Sequence, residues 1–317
     1  MSRTIALTGA TGFIGGVLAR RLETIGWQIR ALVRPASLGA RYAGTATQWI
    51  EGDLEDLDSL RRLVNNDVYA VVHCAGAVRG ASQAQFDGVN VDGVARLVQA
   101  AREQHRVPRF LLISSLAARE PHLSPYAASK RQGEDTLAAT AGDMNWAVLR
   151  PPAVYGPGDK ELLPLFRWIG RGIAPILGSR SARFSLLYVE DLAEAVVQWL
   201  NSETNERRAF ELHDGHPDGY AWHDVVDTVA RLYGRHVFRI QVPVTILRLL
   251  AGLNLGAAQI CGYAPMLTPG KVRELNHSNW VCDNDALTRE TGWAPRVSLA
   301  EGLQRTLLTP LSSKGGT

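Results

Sequence analysis

Residues 4–25 constrain the fold more than any other stretch. The apolar run Thr4-Ile5-Ala6-Leu7 meets a glycine turn, Thr8-Gly9-Ala10-Thr11-Gly12, and an amphipathic stretch from Phe13 to Ile25 follows at once. Strand, glycine turn, helix is the context in which backbone cradles a dinucleotide. Glycines allow the tight turn and a close approach to pyrophosphate, and the helix N-terminus offers unpaired N–H groups at its positive end. The glycines Gly9, Gly12 and Gly15 follow G-x-x-G-x-x-G rather than G-x-G-x-x-G, so the weight of the motif comes from its place directly after a strand.

Further apolar runs follow at Trp27 to Val33, Gln48 to Asp53, Val68 to Gly76 and Phe110 to Ser115, each separated from the next by a helical pattern. That alternation predicts an α/β fold, a Rossmann-type doubly wound parallel sheet. Ligands of such sheets sit at the carboxyl ends of the strands, so Gly9, Arg34, Asp53, Gly76 and Ser115 can converge on one crevice. The predicted division gives residues 1–155 and 184–202 to an NADP-binding domain. Residues 156–183 and 203–317 form a smaller, mostly helical substrate lobe.

Tyr126 and Lys130 stand four apart, on one helix face if 125–141 is helical. A free phenol titrates near 10 and is a poor acid or base at neutral pH; a nearby ammonium would lower that value. Tyr126 is therefore a candidate to take a proton from an alcohol or give one to a carbonyl.

Thr8 to Gly15, Gly52-Asp53-Leu54, Cys74-Ala75-Gly76, Ser114-Ser115 and Tyr126 with Lys130 together resemble the extended short-chain dehydrogenase/reductase family, the NAD-dependent epimerase/dehydratase type. Arg150 to Pro157 and Tyr188 to Ala193 resemble later landmarks of that family, and the tail from Trp280 to Leu303 is similar to its 3β-hydroxysteroid dehydrogenase and dihydroflavonol reductase branches. The resemblance implies an NAD(P)-dependent oxidoreductase in which Tyr126 is proton donor or acceptor. Lys130 would hold the cofactor ribose and lower the Tyr126 pKa, Ser115 rather than Ser114 would bond the substrate oxygen, and Asn90 would back the site or cap its helix. The cofactor is expected against Gly9, Thr11, Gly12, Phe13, Ile14, Gly15, Asp53, Leu54, Ala75, Gly76, Ala77, Tyr126, Lys130, Pro152 and Val154, with Asp53 toward the adenine amino group. A homodimer through the helices near 90–105 and 125–141 is implied by the family alone.

The end of the second predicted strand reads Val33-Arg34-Pro35-Ala36-Ser37, where a carboxylate would select NAD. Arg34 offers a cationic fork for a 2′-phosphate and Ser37 a further hydrogen bond, so NADP(H) is expected over NAD(H). The substrate is expected to be bulky and largely apolar. Only eleven positions separate Ser115 from Tyr126, Ala153 stands where sugar-nucleotide epimerases carry an asparagine, and Arg180 and Arg183 are out of register with their arginine. The stretch 242–267 is apolar apart from Arg248; Asn254, Gln259, Pro265 and its glycines disfavour a membrane span. It is expected to form an amphipathic wall of an apolar pocket, with contact to a membrane surface open.

Two other readings stay open. One is a nucleotide-sugar epimerase or dehydratase with tightly held NAD(P). The other is a non-catalytic NADP-binding scaffold, which has no chemical need for Ser115, Tyr126 and Lys130 together. The net charge of +3 over 317 residues, with Lys and Arg scattered, gives no nucleic-acid surface. Cys74, Cys261 and Cys282 lack metal spacing, so no metal is expected. His73 and Cys74 lie in a strand and are expected to pack. An odd cysteine count and a first strand beginning at Thr4 suggest a cytoplasmic protein.

Overall fold

The computed structural model describes residues 3–40, 47–179, 181–205 and 207–308. In chain order the elements are β1 (Thr4–Thr8), α1 (Phe13–Thr24), β2 (Gln28–Val33), β3 (Thr47–Glu51), α2 (Leu57–Leu63) and β4 (Val68–His73). Then come α3 (Gln83–Asn90), α4 (Asp92–Arg102), β5 (Arg109–Ile113), α5 (Pro125–Thr140), β6 (Trp146–Arg150) and β7 (Ala153–Tyr155). The chain continues through α6 (Leu163–Gly170), β8 (Ile173–Leu177), β9 (Arg183–Phe184), β10 (Leu186–Tyr188), α7 (Val189–Asn201), β11 (Arg208–Glu211) and α8 (Trp222–Tyr233). It closes with β12 (Phe238–Val242), α9 (Val244–Cys261), α10 (Pro269–Asn276), β13 (Asn279–Trp280), α11 (Asp285–Thr291) and α12 (Leu299–Leu308).

Seven parallel strands form the central sheet in the order β11-β6-β5-β4-β1-β2-β3. The order reverses between β1 and β4, and the crevice beyond their carboxyl ends is where a doubly wound sheet takes its ligand. Strand alternation sends Ile5 and Leu7 to one face, packed with Leu18 and Leu22 of α1 and Leu192 and Val196 of α7. Ala6 goes to the other face, with Leu60 of α2, Leu97 of α4 and Leu137 of α5. Both faces are covered by helices, which is why the strands read as continuous apolar runs.

A second core joins Tyr155, Phe166, Ile169, Val225 and Leu303 in the smaller lobe. There, β7 pairs with β10, β8 with β12 and β9 with β13. One boundary differs from the sequence reading. β11, expected in the substrate lobe, pairs with β6 and forms an edge of the central sheet; its four residues have too little apolar periodicity for the sequence to mark them as sheet. The Tyr188 to Ala193 landmark has a structural role: the buried Asp191 carboxylate accepts hydrogen bonds from the backbone of Arg296 (3.1 Å) and Val297 (2.9 Å), tying the C-terminal segment to α7.

Candidate active site

Backbone proximity shapes the glycine turn. Gly9 has φ +75°, and a Cβ there would lie 2.7 Å from the Ala75 nitrogen, so a side chain would push the turn away from the exit of β4. A Cβ on Gly15 would lie 2.2 Å from the Gly9 carbonyl oxygen. The N-cap of α1 is Gly12, with no side-chain cap and no acidic residue in the first turn, so its N–H groups remain available to an anion. Gly9, Thr11, Gly12, Phe13, Ile14 and Gly15 line a cavity of about 1200 Å³. This uncapped cradle fits a dinucleotide pyrophosphate.

α5 starts at Ser124, whose hydroxyl caps the Ala127 nitrogen at 3.0 Å, with Pro125 in the first turn. Tyr126 lies half-buried in the cavity wall. Lys130, one turn on, is 7% exposed and donates to the Ile113 carbonyl at 3.2 Å. Burial lowers its pKa to about 8, against the opposing pull of Cys74 and Glu134. The chain leaves it room: a Cβ on Gly76 would sit 2.9 Å from its Nζ.

The Tyr126 phenol departs from the sequence expectation. Burial raises its pKa above the ordinary 10.0, while a hydrogen bond with Ser115 and the charge of Lys271 pull it back. Glu274 of α10 opposes Lys271 of the same helix, and the net shift is upward. Ser115 stands beside it, and its Oγ also accepts from the Ala117 nitrogen at 3.2 Å. Ser114 is held elsewhere: its Oγ donates to Glu134 at 2.5 Å, and Glu134 also pairs with Arg150 through Nε at 3.0 Å. The two serines thus have different partners, and Ser115, the one preferred from the sequence, is the one beside Tyr126.

Asn90 is buried at the end of α3. Its Oδ1 accepts from the Ala77 nitrogen at 2.9 Å, and its Nδ2 donates to the Ala77 carbonyl at 3.0 Å and to Ser129 at 2.9 Å. It clasps the strand exit 75–77 to the helix of Tyr126, so it positions the site from behind. Ala75 donates its N–H to Thr8 Oγ1 at 3.2 Å. Pro152 and Val154 line the cavity.

Arg34 is exposed just past β2, and the Ser37 N–H closes a turn on its carbonyl at 2.8 Å. Because Leu7 pairs with Ala31, Arg34 emerges alongside the glycine turn. Asp53 Oδ1 accepts the Glu55 N–H at 3.1 Å, as a turn residue does. Leu54 packs beneath Gly93. His73 is buried with Nδ1 2.7 Å from Thr8 Oγ1, and burial followed by Lys130 lowers its pKa to about 3. Arg180 lies outside the described residues. Arg183 reaches the Gly219 carbonyl at 3.1 Å. Among the described residues, no cluster of His, Cys, Asp or Glu is arranged for a metal ion.

The smaller lobe closes the cavity with Leu255, Met266, Leu267 and the first turn of α10. α9 has two apolar faces. Leu247, Ala251 and Ala258 are buried, whereas Ile246, Leu249, Leu250, Leu253 and Ile260 are exposed, Ile260 by 87%. By length and composition alone it could cross a membrane, with a mean hydropathy of 1.5 over 18 residues. Sequence reading missed α10, although Thr268 followed by Pro269 is a helix-start signal.

From residue 5 to residue 212 the sequence matches the NAD dependent epimerase/dehydratase family. The chain belongs to that family. It is similar to the ceramide reductase of Caulobacter vibrioides, 35% identical over 304 residues, covering 96% of this chain and 93% of that protein. It is also 27% identical to the UDP-glucose 4-epimerase of Vibrio cholerae, over 96% and 95% of the two chains. The crystal structure of UDP-glucuronic acid 4-epimerase from Bacillus cereus with UDP-glucuronic acid and NAD shares the fold, with TM-score 0.73, 18% identity and coverage of 95% and 97%. The family member described here is an NAD(P)-dependent enzyme of the oxidoreductase type.

Proposed function

We propose that this protein is an NADP(H)-dependent oxidoreductase that interconverts a ketone and a secondary alcohol on a bulky, lipid-like substrate in the cytoplasm. The observation that carries the reading is a large cavity that runs from the glycine turn past Ser115 and Tyr126 to the apolar wall of Leu255, Met266 and Leu267. Such a wall suits hydrocarbon better than a sugar diphosphate. Ala153 offers no hydrogen bond where the epimerases carry asparagine, and the relative with the higher identity is named for a lipid.

When bound, the nicotinamide supplies or accepts the hydride. Tyr126, held above its ordinary pKa by burial, stays protonated at neutral pH and gives its proton to the carbonyl oxygen during reduction. Ser115 hydrogen-bonds the same oxygen as negative charge develops on it. Lys130, with one of its three N–H bonds on Ile113, would hold the cofactor ribose through the others. Tyr126→Phe is expected to slow NADPH oxidation with a long-chain ketone by about 10² to 10⁴-fold; a near-wild-type rate would sink the role. Arg34 supports NADP over NAD, and fluorescence titration should find NADPH bound more tightly than NADH, by a margin that Arg34→Leu removes.

The outer face of α9, flanked by the exposed Arg248, suits the surface of an anionic bilayer from which such a substrate would enter. Wild-type protein should sediment with phosphatidylglycerol vesicles and L249S/L253S should not. Wild-type protein left in the supernatant would remove the membrane from this account.

A further inference from the structure

α10 is strapped onto the start of the helix that bears Tyr126. A Cβ on Gly270 would lie 2.8 Å from Ser124 Cβ and 3.1 Å from Pro125 Cδ, so the first turn of α10 rests against the first turn of α5. Arg273 Nε donates to the Leu123 carbonyl at 2.7 Å, and Ser124 Oγ donates to Glu274 Oε1. The Trp280 indole N–H holds the Glu274 carbonyl at 2.9 Å. These bonds fix the backbone from which Lys271 projects, and Thr268 caps its N–H at 3.2 Å.

Lys271 and Glu274 are not equivalent partners. Their side chains meet at 2.8 Å, but Glu274 is 7% exposed and Lys271 33%. Both Glu274 oxygens are engaged, one by Ser124 and one by Lys271. An ammonium has three N–H donors and this one gives a single bond to Glu274, so donors remain toward the cavity that Lys271 and Tyr126 both line. The charge nearby decides what those donors can take. Glu274 pairs with Lys271 at 2.8 Å and Arg79 pairs with the nearby Glu161 at 2.7 Å, so no net positive charge is left over for a substrate carboxylate. An uncharged acceptor needs none.

We infer that Lys271 recognises an uncharged acceptor oxygen of the substrate, such as an amide carbonyl, standing within a few bonds of the carbonyl that Tyr126 protonates. The inference rests on the oxidoreductase reading and narrows it to ketones with a neighbouring amide-type oxygen. Tyr126 and Lys271 then hold two oxygens of one molecule, one at the reacting carbon and one beside it, and this double grip orients an otherwise apolar chain.

The test compares an N-alkyl 3-oxo fatty amide with a long-chain ketone of the same length, both with NADPH. Wild-type enzyme is expected to favour the oxo amide in kcat/KM, and Lys271→Met to lower that preference by about tenfold to hundredfold, mainly through KM. Lys271→Arg should keep most of it. Equal turnover of the two compounds by wild-type enzyme overturns the inference without any variant, so a poorly folded Lys271→Met does not leave it standing. An equal loss on both compounds in Lys271→Met also overturns it, because that is the signature of tuning Tyr126 rather than reading the substrate. Reduction of neither compound, with NADPH binding intact, removes the ketone-reductase reading and this inference with it.

Discussion

A Cβ added at Gly15 would sit 2.2 Å from the Gly9 carbonyl oxygen, whereas one added at Gly256 of α9 meets nothing within 4 Å. Gly15 lines the cavity and Gly256 lies on the helix that contributes Leu255 to it, and the contrast separates two ways of building a binding surface. On the cofactor side the surface is main chain against main chain, with no freedom to adjust, and the groups behind it are buried and bonded: Asn90 on Ala77, Ser114 on Glu134, Glu134 on Arg150. On the substrate side it is side chains on a lightly buried helix, anchored at α10 by Ser124 and Arg273. A backbone cradle specifies one ligand shape, while a side-chain wall can take different substrates by exchanging residues.

The largest expected break in this contrast is Gly15→Ala. Main-chain overlap at 2.2 Å has no flexible atom to give way, so the substitution should cost about 1–3 kcal/mol in urea unfolding and abolish NADPH binding. Unchanged NADPH affinity would mean that the turn is not the cradle described.

Lys130 gives a test of intermediate size through pH. Its folded-state pKa is lowered from 10.5 to about 8, so the unfolded chain binds the proton more tightly. Its burial therefore costs the fold most below pH 8, and the cost fades as pH rises from 8 toward 10.5. The stability difference between the cofactor-free wild type and Lys130→Met should shift in favour of the wild type across that window. Cys74, with a raised pKa, works in the opposite direction above pH 9, which is why the difference and not the wild-type curve is the readout. A difference that is flat with pH would place the Lys130 amine in water.

Gly256→Ala should have the smallest effect and the opposite sign to Gly15→Ala. With open space at the Cβ, it should gain about 0.5–1 kcal/mol from helix propensity. A loss there would show that α9 is packed more tightly than its exposure suggests.

The sheet, its crevice and the Tyr126 and Lys130 pair were legible in the sequence, because each depends on short-range pattern: alternation along strands, glycines at a turn, four-residue spacing on a helix. β11 was not, since its place at the sheet edge is fixed by pairing with β6, 61 positions earlier at the Arg208–Ala147 contact, and not by its own residues. The partner of Ser114 also required the fold, because it turns on where Glu134 and Arg150 reach. So did a cation that acts on Tyr126. Spacing pointed to Lys130, and the structure adds the charge of Lys271, 145 positions away in the chain. Local pattern fixed the backbone scaffold because hydrogen bonds and apolar faces repeat along the chain. Tertiary structure decided the electrostatics, because charge acts across space between residues that sequence keeps apart.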